Sequence, residues 1–357
     1  MKENKEFFEA LLNAASPSGE EAPAVSIFQN FIEENVKNVN RDFWDNFNNC
    51  SYWIGDPDGV AVMISAHIDS IYMMVTDITD NGYLKIANGA GTDKKVLQGS
   101  RVTILTDADT QVTGVIGKAP IHIEYDQPEY DRAPKFDELF VDLGTGSKEE
   151  TEKLGIKVGT LVIYERGNLL TDFGKDGKLV VGPDLDDKAC VYVIAEVMRR
   201  IDQEKLKANN VKLFCVAMAQ EESGTRGAKV AARKIDPAIS IDLDVTFDTD
   251  KDLGISTAKY CNVVVGEGAV IEFGDDRSRR INNELIALAK DRNIKYQLST
   301  TRSGGTNTAS IQEHAWDCET THVALALRNM HTPQEIVSWE DMESCIELVK
   351  TYIEEKI

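Results

Sequence analysis

Two of the five histidines stand where apolar, strand-like runs end. His67 lies in Ser65-Ala66-His67-Ile68-Asp69, behind Val60-Ala61-Val62-Met63-Ile64, and His331 lies in Asn329-Met330-His331-Thr332-Pro333, behind Val323 to Leu327. Three acidic clusters occupy similar junctions between them: Asp184-Leu185-Asp186-Asp187, Gln220-Glu221-Glu222-Ser223-Gly224 and Asp242-Leu243-Asp244-Val245-Thr246. Zinc accepts imidazole nitrogen and carboxylate oxygen, and two metals about 3.5–4 Å apart need a carboxylate to bridge them. The chemistry these donors could do is metal-assisted hydrolysis at a two-metal site.

Each motif alone has a plainer reading beside the functional one. Asp69 could accept the second ring N–H of His67 and fix its tautomer, or it could be a helix cap behind a strand-end histidine. Asp186-Asp187 opens a helical pattern, where acidic residues also serve as caps and offset the helix dipole. Glu221-Glu222 follows a mostly apolar run and could be a solvated strand end, or two neighbours that divide metal binding from proton transfer. Asp244 is an acid inside an apolar strand and needs a partner if buried. His122, His314 and His322 read as surface or packing residues. Ser303-Gly304-Gly305-Thr306 resembles a phosphate loop only superficially, because no Lys follows, and reads as a tight turn.

The elements that must position these residues alternate along the chain. Helices are predicted over 4–14, 22–35, 187–203 and 225–234, the first two separated by the turn Ser16-Pro17-Ser18-Gly19. Unbroken apolar runs predict buried strands over 60–66, 211–219, 239–246 and 321–327. A last helix starts behind Ser338 as N-cap, with Met342, Cys345, Ile346, Val349, Tyr352 and Ile353 at helical spacing. Strands alternating with helices predict an α/β fold, a mixed, mostly parallel sheet flanked by helices. Ligands of such sheets bind outside the carboxyl ends of the strands, where His67, Glu221, Glu222 and Asp244 all fall.

From His67 to Asp186 the chain is far longer than one crossover. Short β-rich runs at 102–105, 111–116 and 161–164, punctuated by Asp80-Asn81-Gly82 and Asn88-Gly89-Ala90-Gly91, predict a small β-rich domain over 72–165. It interrupts a catalytic domain made of 1–71 and 166–357. A net charge of -21 over 357 residues argues against nucleic acid or anionic lipid as partner. No apolar stretch is long enough to span a bilayer. The charged start Met1-Lys2-Glu3, with no apolar core behind it, predicts the cytoplasm. Cys50, Cys190, Cys215, Cys261, Cys318 and Cys345 lack C-x-x-C spacing and read as free thiols, several buried in apolar patterns.

Taken in order, these segments resemble the tetrahedral aminopeptidase family, the dinuclear-metal glutamyl and leucyl aminopeptidases that include proteins once labelled endoglucanases. The likeness runs from Ser16-Pro17-Ser18-Gly19-Glu20-Glu21 to His331-Thr332-Pro333-Gln334-Glu335. Its most specific stretch is Gln220-Glu221-Glu222-Ser223-Gly224-Thr225-Arg226-Gly227-Ala228, supported by Asp244-Val245-Thr246 and Ser303-Gly304-Gly305-Thr306. The resemblance implies a zinc-exopeptidase-like fold with a PDZ-like insertion used for dimer contacts, and a homo-oligomer of twelve subunits. It implies two divalent ions per subunit, zinc first, with cobalt or manganese as alternatives. Asp186 would bridge them, His67 and Asp244 would complete one site, and Glu222 and His331 the other. Asp69 would orient His67, and Glu221 would be the general base that cleaves N-terminal residues from short peptides.

Three positions depart from the family pattern: Ser70 replaces an acid, Lys188 replaces Arg, and Asn307 replaces Asp. The change at Ser70 motivates one alternative, a catalytically silent metal-binding homologue. A glycoside hydrolase using Glu221 and Glu222 is the weaker alternative, because its carboxylates must flank a sugar about 5–9.5 Å apart.

Overall fold

The computed structural model describes residues 3–107, 110–124, 132–167, 169–255, 260–300 and 305–357. Two compact units emerge. The first comprises Met1–Asp69, Leu169–Met330 and Gln334–Ile357; the second comprises Ser70–Asn168 and the short segment His331–Pro333.

The first unit is built on an eight-stranded mixed sheet. Its order is Asn40–Trp44, Cys50–Gly55, Val211–Met218, Val60–His67, Ile239–Phe247, Glu319–Leu327, Ala269–Phe273 and Tyr296–Thr300. The central pairings, Val211–Met218 with Val60–His67, Val60–His67 with Ile239–Phe247, and Ile239–Phe247 with Glu319–Leu327, are parallel. These are the four strands expected from unbroken apolar runs, and the reason is burial on both faces. Val62, Ile64 and Ala66 point into a core shared with the helices Leu185–Arg200 and Trp339–Lys356, whereas Met63 packs with Phe214, Val216 and Ala228 on the other face.

The remaining strands are less apolar. Asn40–Trp44 is exposed at most positions and Tyr296–Thr300 lies at the other edge, so neither carries the signature of a buried strand. The helix expected over 187–203 is also divided. It runs Leu185–Arg200, and Asp202 then caps a separate helix, Gln203–Ala208, by accepting the Glu204 N–H at 3.0 Å. Leu170–Phe173, Leu179–Gly182 and Glu335–Ser338 form a three-stranded antiparallel sheet. The last helix starts as expected, with the Ser338 hydroxyl accepting from the Glu340 and Asp341 N–H groups.

The second unit is a closed six-stranded barrel, ordered Tyr72–Ile78, Leu84–Ala90, Val141–Asp142, Gln111–Ile116, Arg101–Leu105 and Leu161–Tyr164. Alternating residues fill it, among them Val75, Leu84, Val102, Ile104, Ile116, Val141 and Val162. Its first and last strands pair antiparallel, Met73 opposite Val162 and Met74 opposite Leu161, so its entry and exit are hydrogen-bonded neighbours. Cys50, Cys190, Cys215 and Cys345 are buried free thiols, while Cys261 and Cys318 are free and partly exposed. Among the described residues no helix is long and apolar enough to cross a membrane.

Candidate metal centre

Strand register gathers the donors. Met218 pairs with His67, so the turn bearing Glu221 and Glu222 starts beside the end of the histidine strand. Asp242 faces Ser65 across the neighbouring strand, and Asp244 and His67 each lie two residues further, on one side of the sheet. The His67 Nε2 is 3.1 Å from Asp186 Oδ1 and 3.7 Å from Asp244 Oδ1. Its Nδ1 lies 3.1 Å from the Asp69 carbonyl oxygen and 3.4 Å from Asp69 Oδ1. Asp186 and Asp187 have non-helical dihedrals at the start of the helix Leu185–Arg200, and the peptide between them is cis. The Glu335 carboxylate accepts the Asp186 N–H at 3.1 Å, and Asp187 Oδ2 accepts the His67 N–H at 3.1 Å.

Among the described residues, two groups of side chains have ligand atoms mutually within 4.8 Å: His67 with Asp186 and Glu222, and His67 with Asp187 and Asp244. Asp186 and Glu222 thus come together with His67, as the sequence suggested, and so does Asp244. The addition is Asp187, to which the sequence reading gave no role beyond opening the helix. Its signal was adjacency to Asp186. A helix cap should remain solvated, however, and Asp187 is fully buried.

Burial sets the electrostatics. It drives the Asp187 and Asp244 carboxyls well above the usual range, reinforced by their acidic neighbours and opposed by His67. Burial likewise pushes Glu221 up to about 8, with His67 pulling the other way and Glu222 and Asp69 adding to the rise. For His67 burial disfavours the charged ring, but the Asp186 and Asp69 carboxylates outweigh it and hold the imidazole well above its ordinary value. Carboxylates crowded around one imidazole, away from water, repel one another. A divalent cation among them would remove that repulsion and displace the imidazole proton, so the donor set fits such an ion.

His331 belongs to the second unit. Its Nδ1 donates to the Gly91 carbonyl oxygen at 2.7 Å, and the Tyr164 hydroxyl donates to the His331 carbonyl at 3.3 Å. A side chain at Gly91 would strike the ring, because a Cβ there would sit 2.6 Å from the His331 Cε1.

Ser70 is buried. Lys188 is buried and donates to Asp184 Oδ2 at 3.2 Å and to the Ala14 carbonyl at 2.7 Å. Asn307 is buried, its Oδ1 without a hydrogen-bond partner among the described residues; Ser303 and Gly304 lie outside them. His122 is exposed, and the His314 Nδ1 is 2.9 Å from the Ser310 carbonyl. His322 is buried against Glu272 at 2.9 Å.

The donor set fits a divalent ion, and the family match gives the class, a peptide hydrolase. The family model described as M42 glutamyl aminopeptidase matches residues 49–348, and the chain belongs to that family. A lysyl aminopeptidase of Pyrococcus furiosus is 29% identical over 297 residues, covering 82% of this chain and 81% of that protein. The aminopeptidase APDkam598 of the archaeon Desulfurococcus kamchatkensis superposes with a TM-score of 0.86 at 28% identity, covering 98% of this chain and 94% of its own. A TET aminopeptidase from the marine sediment archaeon Thaumarchaeota archaeon SCGC AB-539-E09 gives a TM-score of 0.89 at 26% identity, covering 99% and 96%. The protein is an aminopeptidase by family.

Proposed function

We propose that the enzyme is a dinuclear metal aminopeptidase that removes N-terminal residues from short peptides. The observation that carries this reading is the convergence of His67 with Asp186 and Glu222, and with Asp187 and Asp244. Asp186, His67, Asp244 and Glu222 would hold the ions. His331 enters the set through the family resemblance, as does Asp69 as the partner of His67. Bound ions, zinc first, would supply a Lewis acid for the scissile carbonyl and lower the pKa of the attacking water. Glu221 takes the proton from that water and returns it to the leaving amine.

Chelation tests the reading. EDTA treatment should abolish turnover of aminoacyl-nitroanilides, and added zinc, cobalt or manganese should restore it. Metal analysis of the reconstituted protein should find two ions per chain; one ion or none would overturn the two-metal assignment. Activity that survives complete metal removal would overturn the mechanism, and a metal-loaded protein silent on a broad substrate panel would support the binding-homologue alternative. The resemblance and the TET aminopeptidase likeness further support a homo-oligomer, in which the barrel supplies subunit contacts.

A further inference from the structure

The sequence suggested that Asp69 orients His67, and its carboxylate also has a second engagement. Asp69 is fully buried, and its two oxygens accept from two successive main-chain N–H groups: Oδ1 from Glu221 at 2.9 Å and Oδ2 from Glu222 at 3.1 Å. The His67 Nδ1 is closer to the Asp69 main-chain carbonyl, 3.1 Å, than to Oδ1, 3.4 Å. The carbonyl alone can therefore fix the tautomer, whatever side chain residue 69 carries.

We infer that Asp69 is a positioning residue for the Glu221–Glu222 turn. The inference rests on the reading of Glu221 as general base. Two parallel N–H donors, one per oxygen, need an acceptor at both ends of the group, which a carboxylate offers. An asparagine would turn its NH2 toward one of them. The turn has other supports, but they lie on its flanks. Asn49 Oδ1 accepts the Ala219 N–H at 3.0 Å, and the Ser223 hydroxyl donates to that of Ser18 at 2.8 Å. Inside the turn, the Glu221 carbonyl accepts from Gly224 at 2.8 Å and Thr225 at 2.9 Å. Among the supports described, the Asp69 carboxylate is the side chain that grips the two glutamates' own amides. It thereby ties the end of the histidine strand to the residue that moves the proton, across 152 positions of sequence. A base displaced by about 1 Å can cost on the order of 10²-fold in rate, so the grip acts on the chemical step.

Asp69→Asn tests this in the full chain. We expect kcat to fall about 10²-fold with KM changed by less than about threefold, the split that distinguishes a displaced base from weakened substrate binding. In the chelated protein, hydrogen exchange at the Glu221 and Glu222 amides should accelerate at least about tenfold, while the Ala219 amide, held by Asn49, should not change. Zinc titration of the chelated variant should match wild type within about threefold, because the main-chain partner of His67 survives. Unchanged exchange at Glu221 and Glu222, with zinc binding weakened tenfold or more, would overturn the proposal and return Asp69 to the imidazole. Should the variant not fold, the wild-type protein still decides. Its Glu221 and Glu222 amides should be protected about as well as Ala219, and exchange at the rate of an open loop would overturn the grip. Glu221→Gln separates this from the mechanism: full activity there would sink the general base and leave the exchange result standing.

Discussion

Glu221 and Glu222 share one turn but have different proposed roles, and substitution should separate them. Glu221→Gln keeps the shape and loses the proton acceptor, so activity should fall about 10²–10⁴-fold without recovery in excess metal. Glu222→Gln replaces a charged ligand by a neutral amide, and its activity should recover partly as metal is added. The reverse pattern would exchange the two roles. Lys188 offers a second test, since it is buried with its ammonium on Asp184. Lys188→Met leaves a buried carboxylate without that cation, and breaking such a pair costs about 3–5 kcal/mol. Urea denaturation showing a loss below about 1 kcal/mol would contradict the pairing. At this scale the sequence showed which residues could be donors but not how many would be desolvated. Asp187 read as a helix-opening acid because pattern alone cannot distinguish a cap from a buried carboxylate. The second engagement of Asp69 was not legible because the amides of residues 221 and 222 come near it only through folding.

Among elements, the legible ones are those whose chemistry is uniform. Val60–His67, Val211–Met218, Ile239–Phe247 and Glu319–Leu327 announce themselves because both faces are covered. Edge strands such as Asn40–Trp44 are partly solvated and carry no unbroken apolar run, and the short helix Gln203–Ala208 starts behind Asp202 where the predicted helix ends. The same logic makes the cap of Trp339–Lys356 testable. The Ser338 hydroxyl accepts from the Glu340 N–H at 3.1 Å and the Asp341 N–H at 3.4 Å. Ser338→Ala should cost about 1 kcal/mol, read as a lower denaturation midpoint with an unchanged slope; an unchanged midpoint would show that the cap is redundant.

For the molecule as a whole, the net charge of -21 bears on assembly. Light scattering at moderate salt should give a mass several times 39.6 kDa, and a stable monomer at micromolar concentration would contradict the proposed oligomer. Very low salt would weaken any assembly by self-repulsion. The barrel also has a bearing on how the chain finds its shape. Val60–His67 must pair with Val211–Met218 across the whole insertion, and closing a flexible loop of about 140 residues costs about 4 kcal/mol in the length-dependent part alone. The barrel pairs its own entry and exit strands. Once formed, it takes its own residues out of that loop, leaving about 50 and lowering the closure cost by about 1 kcal/mol, which speeds the search for the parallel partner. All four tryptophans, Trp44, Trp53, Trp316 and Trp339, lie in the first unit, so their fluorescence reports its folding. Ile104→Ala, in the middle of the barrel, should therefore slow the tryptophan-detected refolding of a unit it does not belong to. An unchanged refolding rate would mean that the catalytic sheet assembles before the barrel does.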